Sequence, residues 1–249
     1  MQRIPDGSVD MVLCDLPYGT TQLEWDKCLP FDRLWEQWMR VCKVNAAIVL
    51  FSSQPFTTDL INSNRKLFKY EIIWDKVTKT NFYDAYRRPM KSHENILVFY
   101  RKQPSYNPLK YKVICNNKGR IRKNSNFAVT SGNFVGICNP ESAERYRYTE
   151  TDERFPGTII QFSNWNGALF GDTTNASKHP TQKPVGLCKY LIKTYTNEGD
   201  TVLDNCMGSG TTAVACINTG RNYIGFEIDE AYWNASCQRI AEALEHKDN

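Results

Sequence analysis

Two short stretches of this sequence hold residue types that can do chemistry together. In Asp15-Leu16-Pro17-Tyr18 a carboxylate, a proline-fixed backbone and an aromatic ring lie side by side. They follow the apolar run Val9 to Cys14, which predicts a short strand and puts Asp15 at its carboxyl end. In open α/β sheets that edge is where ligands bind. The same tetrapeptide would also serve as an Asx-type turn with Tyr18 at the boundary of a core. The second stretch, Asp204-Asn205-Cys206-Met207-Gly208-Ser209-Gly210-Thr211-Thr212, joins a strand to a helix, and Glu227 closes the next strand 17 residues after Gly210. Glycines permit the turn and a close approach of the backbone, and an acid at the second strand tip can accept hydrogen bonds from both hydroxyls of a ribose. That is the layout of a nucleotide-type cofactor site. No third glycine stands at the pyrophosphate spacing and no lysine follows as in a phosphate-binding loop, so the ligand need not be a phosphate. Tight packing of a helix on a strand would use the same glycines.

Both stretches need a framework that brings several strand ends to one edge. Phe31, Leu34, Trp35, Trp38, Met39 and Cys42 recur at helical spacing behind Pro30 and Asp32, predicting an amphipathic helix from Phe31 to Val44. Ala46 to Phe51 predicts a buried strand, Pro55 to about Lys66 a helix, and Lys69 to Asp75 and Asn95 to Arg101 two further strands. Near the carboxyl end, a helix from Pro184 to Thr196, a strand from Thr201 to Asp204, a helix after Gly210, a strand from Tyr223 to Ile228 and a helix from Glu230 to about His246 follow. Strand and helix alternate at both ends of the chain, which predicts an α/β fold. From about Lys102 to Lys178 the pattern breaks into short aromatic and β-branched pieces, too long for one structureless loop in a compact domain. Its aromatics (Phe127, Phe134, Tyr146, Tyr148, Phe155, Phe162, Trp165, Phe170) argue for a folded, mixed or mainly β insertion.

The 249 residues, 41% of them hydrophobic, suit one catalytic-sized core. No apolar run approaches the roughly 20 residues that cross a bilayer, and Met1 to Gly7 does not read as a secretion signal, so a soluble protein is expected. Nine cysteines without a C-x-x-C pair argue against a disulfide framework and a structural zinc site; a reducing, cytoplasmic setting is expected. The net charge of +4 is unevenly spread. Arg65 to Lys123 holds 16 basic residues against four acids (Glu71, Asp75, Asp84, Glu94), a local +12 that leaves the rest of the chain at −8. Phe68, Tyr70, Trp74, Phe82, Tyr83, Tyr86, Phe99, Tyr100, Tyr106 and Tyr111 are interleaved with it. Such a mixture suits phosphate neutralisation and base stacking, or else a solvated face whose aromatics are core.

Taken together, the motifs closely resemble a known family. Asp15-Leu16-Pro17-Tyr18 resembles the D-P-P-Y signature of DNA amino-methyltransferases, and Asp204 to Gly210 resembles their F-x-G-x-G S-adenosylmethionine motif. Having the catalytic motif first is the order of the β group of that family. His179-Pro180-Thr181-Gln182-Lys183-Pro184 is similar to the family's H-x-T-Q-K-P segment, and Arg221 to Asp229 to its N-R-x-x-I-G-x-E-I segment. The resemblance covers residues 4–101 and 178–245. It implies a permuted, Rossmann-like S-adenosylmethionine-dependent methyltransferase sheet. Residues 1–101 would form its catalytic half, 102–178 an inserted target recognition region and 179–249 its cofactor-binding half.

The resemblance also implies transfer of a methyl group to the N6 amine of an adenine flipped out of double-stranded DNA, as in restriction-modification. Asp15 and the Leu16 carbonyl would receive the two amine hydrogens, Pro17 would fix the turn and Tyr18 would stack on the base. On the cofactor side, Gly208, Ser209, Gly210 and Thr211 would make close contact, Glu227 would bind the ribose hydroxyls and Asp204 the amino-acid end; Thr181 and Lys183 would hold the methionine carboxylate. No metal is implied. Three departures stand out. Leu16 replaces the first proline of D-P-P-Y, and Asn205-Cys206 stands where Pro-Phe is usual. Family members also carry a strand and a short acidic segment before the Ile4 to Asp10 stretch, so the usual contact to the cofactor's adenine is expected to be missing or supplied from elsewhere. An N4-cytosine enzyme would use the same machinery, more often with Ser at the first motif position, so Asp15 favours adenine. A DNA-binding regulator with a decayed cofactor site is the reading from a different class.

Overall fold

A computed structural model describes residues 1–19, 29–112, 153–163 and 182–248. The chain divides into two compact units, residues 1–109 with 157–249, and residues 110–156. In the smaller unit β5 (Tyr111–Lys112) pairs antiparallel with β6 (Glu153–Arg154), and Lys110 lies 3.6 Å from Glu153 with its ammonium over the Phe155 ring.

The larger unit is built on a seven-stranded sheet. Its strands are β1 (Val9–Cys14), β2 (Cys42–Ser52), β3 (Phe68–Thr80), β4 (Lys91–Phe99), β7 (Ile159–Gln161), β8 (Thr201–Asp204) and β9 (Asn222–Gly225), in the spatial order β7-β3-β4-β2-β1-β8-β9. Strand β4 alone runs against the others. Among the described residues the α-helices are α1 (Phe31–Val41), α2 (Phe56–Ser63), α3 (Val185–Tyr195), α4 (Thr211–Ile217) and α5 (Glu230–Asp248). None of the described helices is long and apolar enough to cross a membrane.

The side-chain period of a strand explains why the sheet is covered on both faces. Val12 and Cys14 with Ile48 and Leu50 enter one core beside Leu34, Trp35 and Trp38 of α1 and Leu60 of α2. Met11 and Leu13 with Val49 and Phe51 enter the other, against Leu187 and Leu191 of α3 and Cys216 of α4. Successive residues thus go to opposite cores, and the strands read as continuous apolar runs. The fold is the α/β, Rossmann-like sheet expected from the sequence.

Several boundaries differ from the sequence reading: β2 begins at Cys42, α2 ends at Ser63, β3 runs on to Thr80 and β4 covers Lys91–Phe99 where Asn95 to Arg101 was expected, and two further differences have a visible cause. Helix α1 stops at Val41, three residues short of the expected end, because the Arg101 guanidinium takes the carbonyls of Cys42 and Lys43 and the Lys102 amide takes that of Val44. Strand β9 ends at Gly225, not Ile228, because the Glu227 carboxylate accepts the amides of Ile228 and Asp229 and turns the chain. Of the insertion's expected aromatics, Phe127, Phe134, Tyr146, Tyr148, Trp165 and Phe170 lie outside the described residues.

Candidate active site

Strand order decides where a site can form. β1 connects onward through α1 to β2 on one side, while β8 connects through α4 to β9 on the other, so the sheet's topological switch lies between β1 and β8. A crevice opens at the carboxyl ends of strands at such a point. Asp15 directly follows β1, and Asp204 ends β8 with the glycine turn beyond it. Strand β4 adds a third contributor. Its reversed direction brings its amino-terminal half to the same edge: Cys14 pairs with Leu50, Ser52 with Asn95, and Glu94 sits one residue further out.

On that edge the charges form one connected cluster. Lys183, just ahead of Pro184 at the start of α3, donates to Asp15 Oδ2 at 2.5 Å and lies 3.6 Å from Glu94 Oε2. Lys76 of β3 donates to Glu94 Oε1 at 3.1 Å, and Lys91 donates to Ser53 Oγ at 2.6 Å. The Tyr18 hydroxyl donates to Asp15 Oδ1 at 2.9 Å, and its ring stacks on Phe56 with centroids 4.8 Å apart. Leu16 is buried in the core. Burial would discharge the Lys183 ammonium, but the Asp15 and Glu94 carboxylates outweigh it and hold the group above the ordinary lysine range. For Glu94, burial pushes upward and Lys183, Lys76 and Lys91 together bring the carboxyl below its usual value. Burial also raises the Tyr18 phenol, with Asp15 and Glu94 adding to the effect.

The glycine turn is held from several sides. Gly208 and Gly210 have φ of +51° and +78°, the left-handed region that favours glycine, and a Cβ on Gly210 would meet Ser236 of α5 at 3.0 Å. Glu227 Oε2 accepts the Gly208 amide at 2.7 Å, and Oε1 accepts those of Ile228 and Asp229. Arg239 of α5 donates to the Ser209 carbonyl at 2.5 Å and hydroxyl at 2.9 Å, with Thr211 Oγ1 at 3.4 Å and Gln182 Oε1 at 3.3 Å. Ser209 and Thr211 therefore direct their hydroxyls into the protein. Asp204 accepts the Cys206 amide and the Thr212 hydroxyl, yet burial pushes its carboxyl up to about 6. Asn205, one of the departures from the family motif, accepts the Trp38 indole N–H at 2.9 Å and so ties α1 to the turn.

The structure thus brings Asp15, Leu16, Pro17, Tyr18 and Lys183 to one end of the crevice and Asp204, Gly208, Ser209, Gly210, Thr211 and Glu227 to the other; Thr181 lies outside the described residues. Lys183, expected at the cofactor's carboxylate, is placed against Asp15. Glu94, Lys76 and Arg239 were not singled out as site residues. For Glu94 a signal existed, as an isolated acid in a +12 block directly before an apolar strand. Lys76 and Arg239 carry none, since both sit in ordinary polar positions of their elements.

The basic block also divides. Trp74 and Phe99 are core, whereas Phe82, Tyr83 and Tyr86, on the turn between β3 and β4, are 72%, 98% and 104% exposed beside Arg87 and Arg88.

Comparison with known proteins agrees with this architecture. The chain is 27% identical over 250 residues to the type II methyltransferase M.HpaI of Haemophilus parainfluenzae, covering 96% of this chain and 70% of that protein. It is 28% identical over 259 residues to the DNA adenine methyltransferase YhdJ of Escherichia coli, covering 96% and 79%. Among solved structures, the complex of M1.HpyAVI with S-adenosylmethionine has a TM-score of 0.60 at 22% identity, with 96% and 90% of the two chains covered. The cytosine-N4-specific PvuII DNA methyltransferase has 0.61 at 14%, with 99% and 88% covered. The family pattern described as DNA methylase matches residues 9–238, nearly the whole chain, and the protein belongs to this N6/N4 DNA methylase family.

Proposed function

We propose that this DNA methylase transfers a methyl group from S-adenosylmethionine to the N6 amine of an adenine flipped out of double-stranded DNA. The observation that carries the reading is the Asp15 carboxylate, placed at the switch point of the sheet and backed by an aromatic pair, Tyr18 on Phe56. The amine of adenine is a poor nucleophile because its lone pair is delocalised into the ring. Asp15 and the Leu16 carbonyl, accepting its two hydrogens, localise that pair and aim it. Holding reacting atoms at about 3–3.5 Å in the right orientation can itself supply several kcal/mol of the barrier. A paired base cannot present its amine in this way, so the target leaves the stack, and the Tyr18 ring compensates part of the lost stacking.

The glycine turn suits the cofactor: Gly208 is half-buried and carries no side chain, Gly210 lets the turn pack on Ser236, and Ile228, next to Glu227, is 96% exposed beside the acid assigned to the ribose. Bound there, S-adenosylmethionine supplies a methyl group on a positively charged sulfur. Glu227 keeps acceptor capacity on Oε2 for ribose hydroxyls, Asp204 faces the ammonium of the amino-acid end, and backbone groups of Gly208 to Thr211 line the approach. Thr181 is the ligand assigned to the methionine carboxylate, while Lys183 serves Asp15. Residues 102–178 are assigned to target recognition, and the exposed aromatic and basic turn between β3 and β4 to the DNA backbone and unstacked bases.

Incubation of the purified chain with tritiated cofactor and unmethylated duplex DNA, followed by nucleoside separation, tests the reading. Label in N6-methyladenine supports it. Label in N4-methylcytosine reassigns the target base, and absence of label favours a DNA-binding regulator.

A further inference from the structure

Both oxygens of Asp15 are already engaged, Oδ1 by the Tyr18 hydroxyl at 2.9 Å and Oδ2 by the Lys183 ammonium at 2.5 Å. On the functional reading above, on which this inference rests, the target amine must use one of them. A carboxylate paired with an ammonium is a poorer acceptor for a neutral amine, because the charged donor makes the stronger hydrogen bond and holds the shared oxygen. Lys183 has a second acceptor within reach. Glu94 Oε2 lies 3.6 Å from its Nζ, is buried, and accepts no hydrogen bond among the described residues, while Oε1 is held by Lys76. Leaving a buried carboxylate oxygen without a partner is costly. The buried Lys76 ammonium accounts for Oε1 but leaves Oε2 unexplained.

We propose that Glu94 is a positioning residue for methyl transfer: it draws the Lys183 ammonium off Asp15 as the target amine arrives, releasing Asp15 Oδ2 to the substrate while the ammonium stays neutralised. From 3.6 Å, a shift of under about 1 Å brings Nζ to charge-assisted hydrogen-bond distance of Oε2. The shift of Lys183 itself moves no proton. Lys183 remains charged and Glu94 ionised, as the surrounding carboxylates and ammonium groups dictate. Lys76 acts in opposition, since it competes with Lys183 for the same carboxylate.

Two substitutions in the full-length chain separate this role from a structural one, because both break the Lys76–Glu94 ion pair. Glu94→Gln, by leaving Lys183 on Asp15, should lower kcat at least tenfold with KM for cofactor and duplex within twofold of wild type. Lys76→Met, by removing the competitor of Lys183 for Glu94, should raise kcat about twofold or more. A smaller fall in Glu94→Gln, or an unchanged or lowered kcat in Lys76→Met, overturns the proposal. Should Glu94→Gln fail to fold by circular dichroism, Lys76→Met decides alone: a raised kcat supports the role, and an unchanged or lowered kcat overturns it. A wild-type protein that methylates no adenine fails the functional reading first, and the inference with it, whereas an active wild type with an unaffected Glu94→Gln fails the inference only.

Discussion

Asp15 and Asp204 stand at the ends of neighbouring strands, and their surroundings give them different work. Asp15 is ion-paired with Lys183 and hydrogen-bonded by Tyr18, and on the proposed reading it gives an acceptor oxygen to the target amine once Lys183 moves off it. Asp15→Ala should reduce methyl transfer to below a few per cent while cofactor affinity by calorimetry changes little; transfer above that level contradicts the assignment. Asp204 is buried with no cation against it among the described residues, and its carboxyl rises to about 6. Its folded value lies above the unfolded one, so the folded chain holds the proton more tightly between about pH 4 and 6, and stability without cofactor falls as pH rises through that window. A cofactor ammonium favours the ionised form, so affinity should rise over the same window and level off above it. Asp204→Asn should abolish that dependence in calorimetry from pH 5 to 7, and an unchanged pH profile would show that Asp204 does not face the ammonium. The place of Asp15 at the end of β1 was legible from the apolar run before it, whereas its assigned role came from the second motif and the family resemblance. The destination of Lys183 was not legible, because it depends on β4 carrying Glu94 to the same edge, a tertiary fact that no local spacing encodes.

Among the elements, α1 and the glycine turn are joined by one hydrogen bond between residues 167 positions apart, from Trp38 to Asn205. In the sequence Asn205 was a departure from the motif, and in the structure it is an anchor. Trp38→Phe should cost about 1 kcal/mol in urea unfolding and weaken cofactor binding with little effect on kcat; a stability loss with unaltered cofactor affinity would mean that the anchor does not reach the site. The central elements could be read from the sequence because they obey simple periods: β1 and β2 are apolar on both faces, and α1 repeats Leu34, Trp35, Trp38 and Val41 toward one core. Their ends could not. α1 stops where Arg101 and Lys102, roughly 60 residues away, capture the next carbonyls, and β9 stops where the Glu227 side chain captures backbone amides.

For the whole molecule, the +4 net charge conceals a +12 block whose aromatics serve two purposes. Trp74 and Phe99 pack the sheet, and Phe82, Tyr83 and Tyr86 stand in solvent beside Arg87 and Arg88. If the exposed set meets DNA, releasing counterions from about four phosphates, raising salt from roughly 50 to 200 mM should weaken duplex binding about a hundredfold. Cofactor affinity should stay nearly constant, and a flat salt response for DNA would remove the block from the interface. Composition could not separate those two sets, because burial is decided by which strand each residue joins. The most direct test of the central claim is base-resolution methylation mapping in a methylation-free host expressing either the wild-type chain or Asp15→Ala. N6-methyladenine at a defined sequence with the wild type, and none with the variant, is the predicted result. Methylated cytosine, or adenine methylation that survives the loss of Asp15, would contradict it.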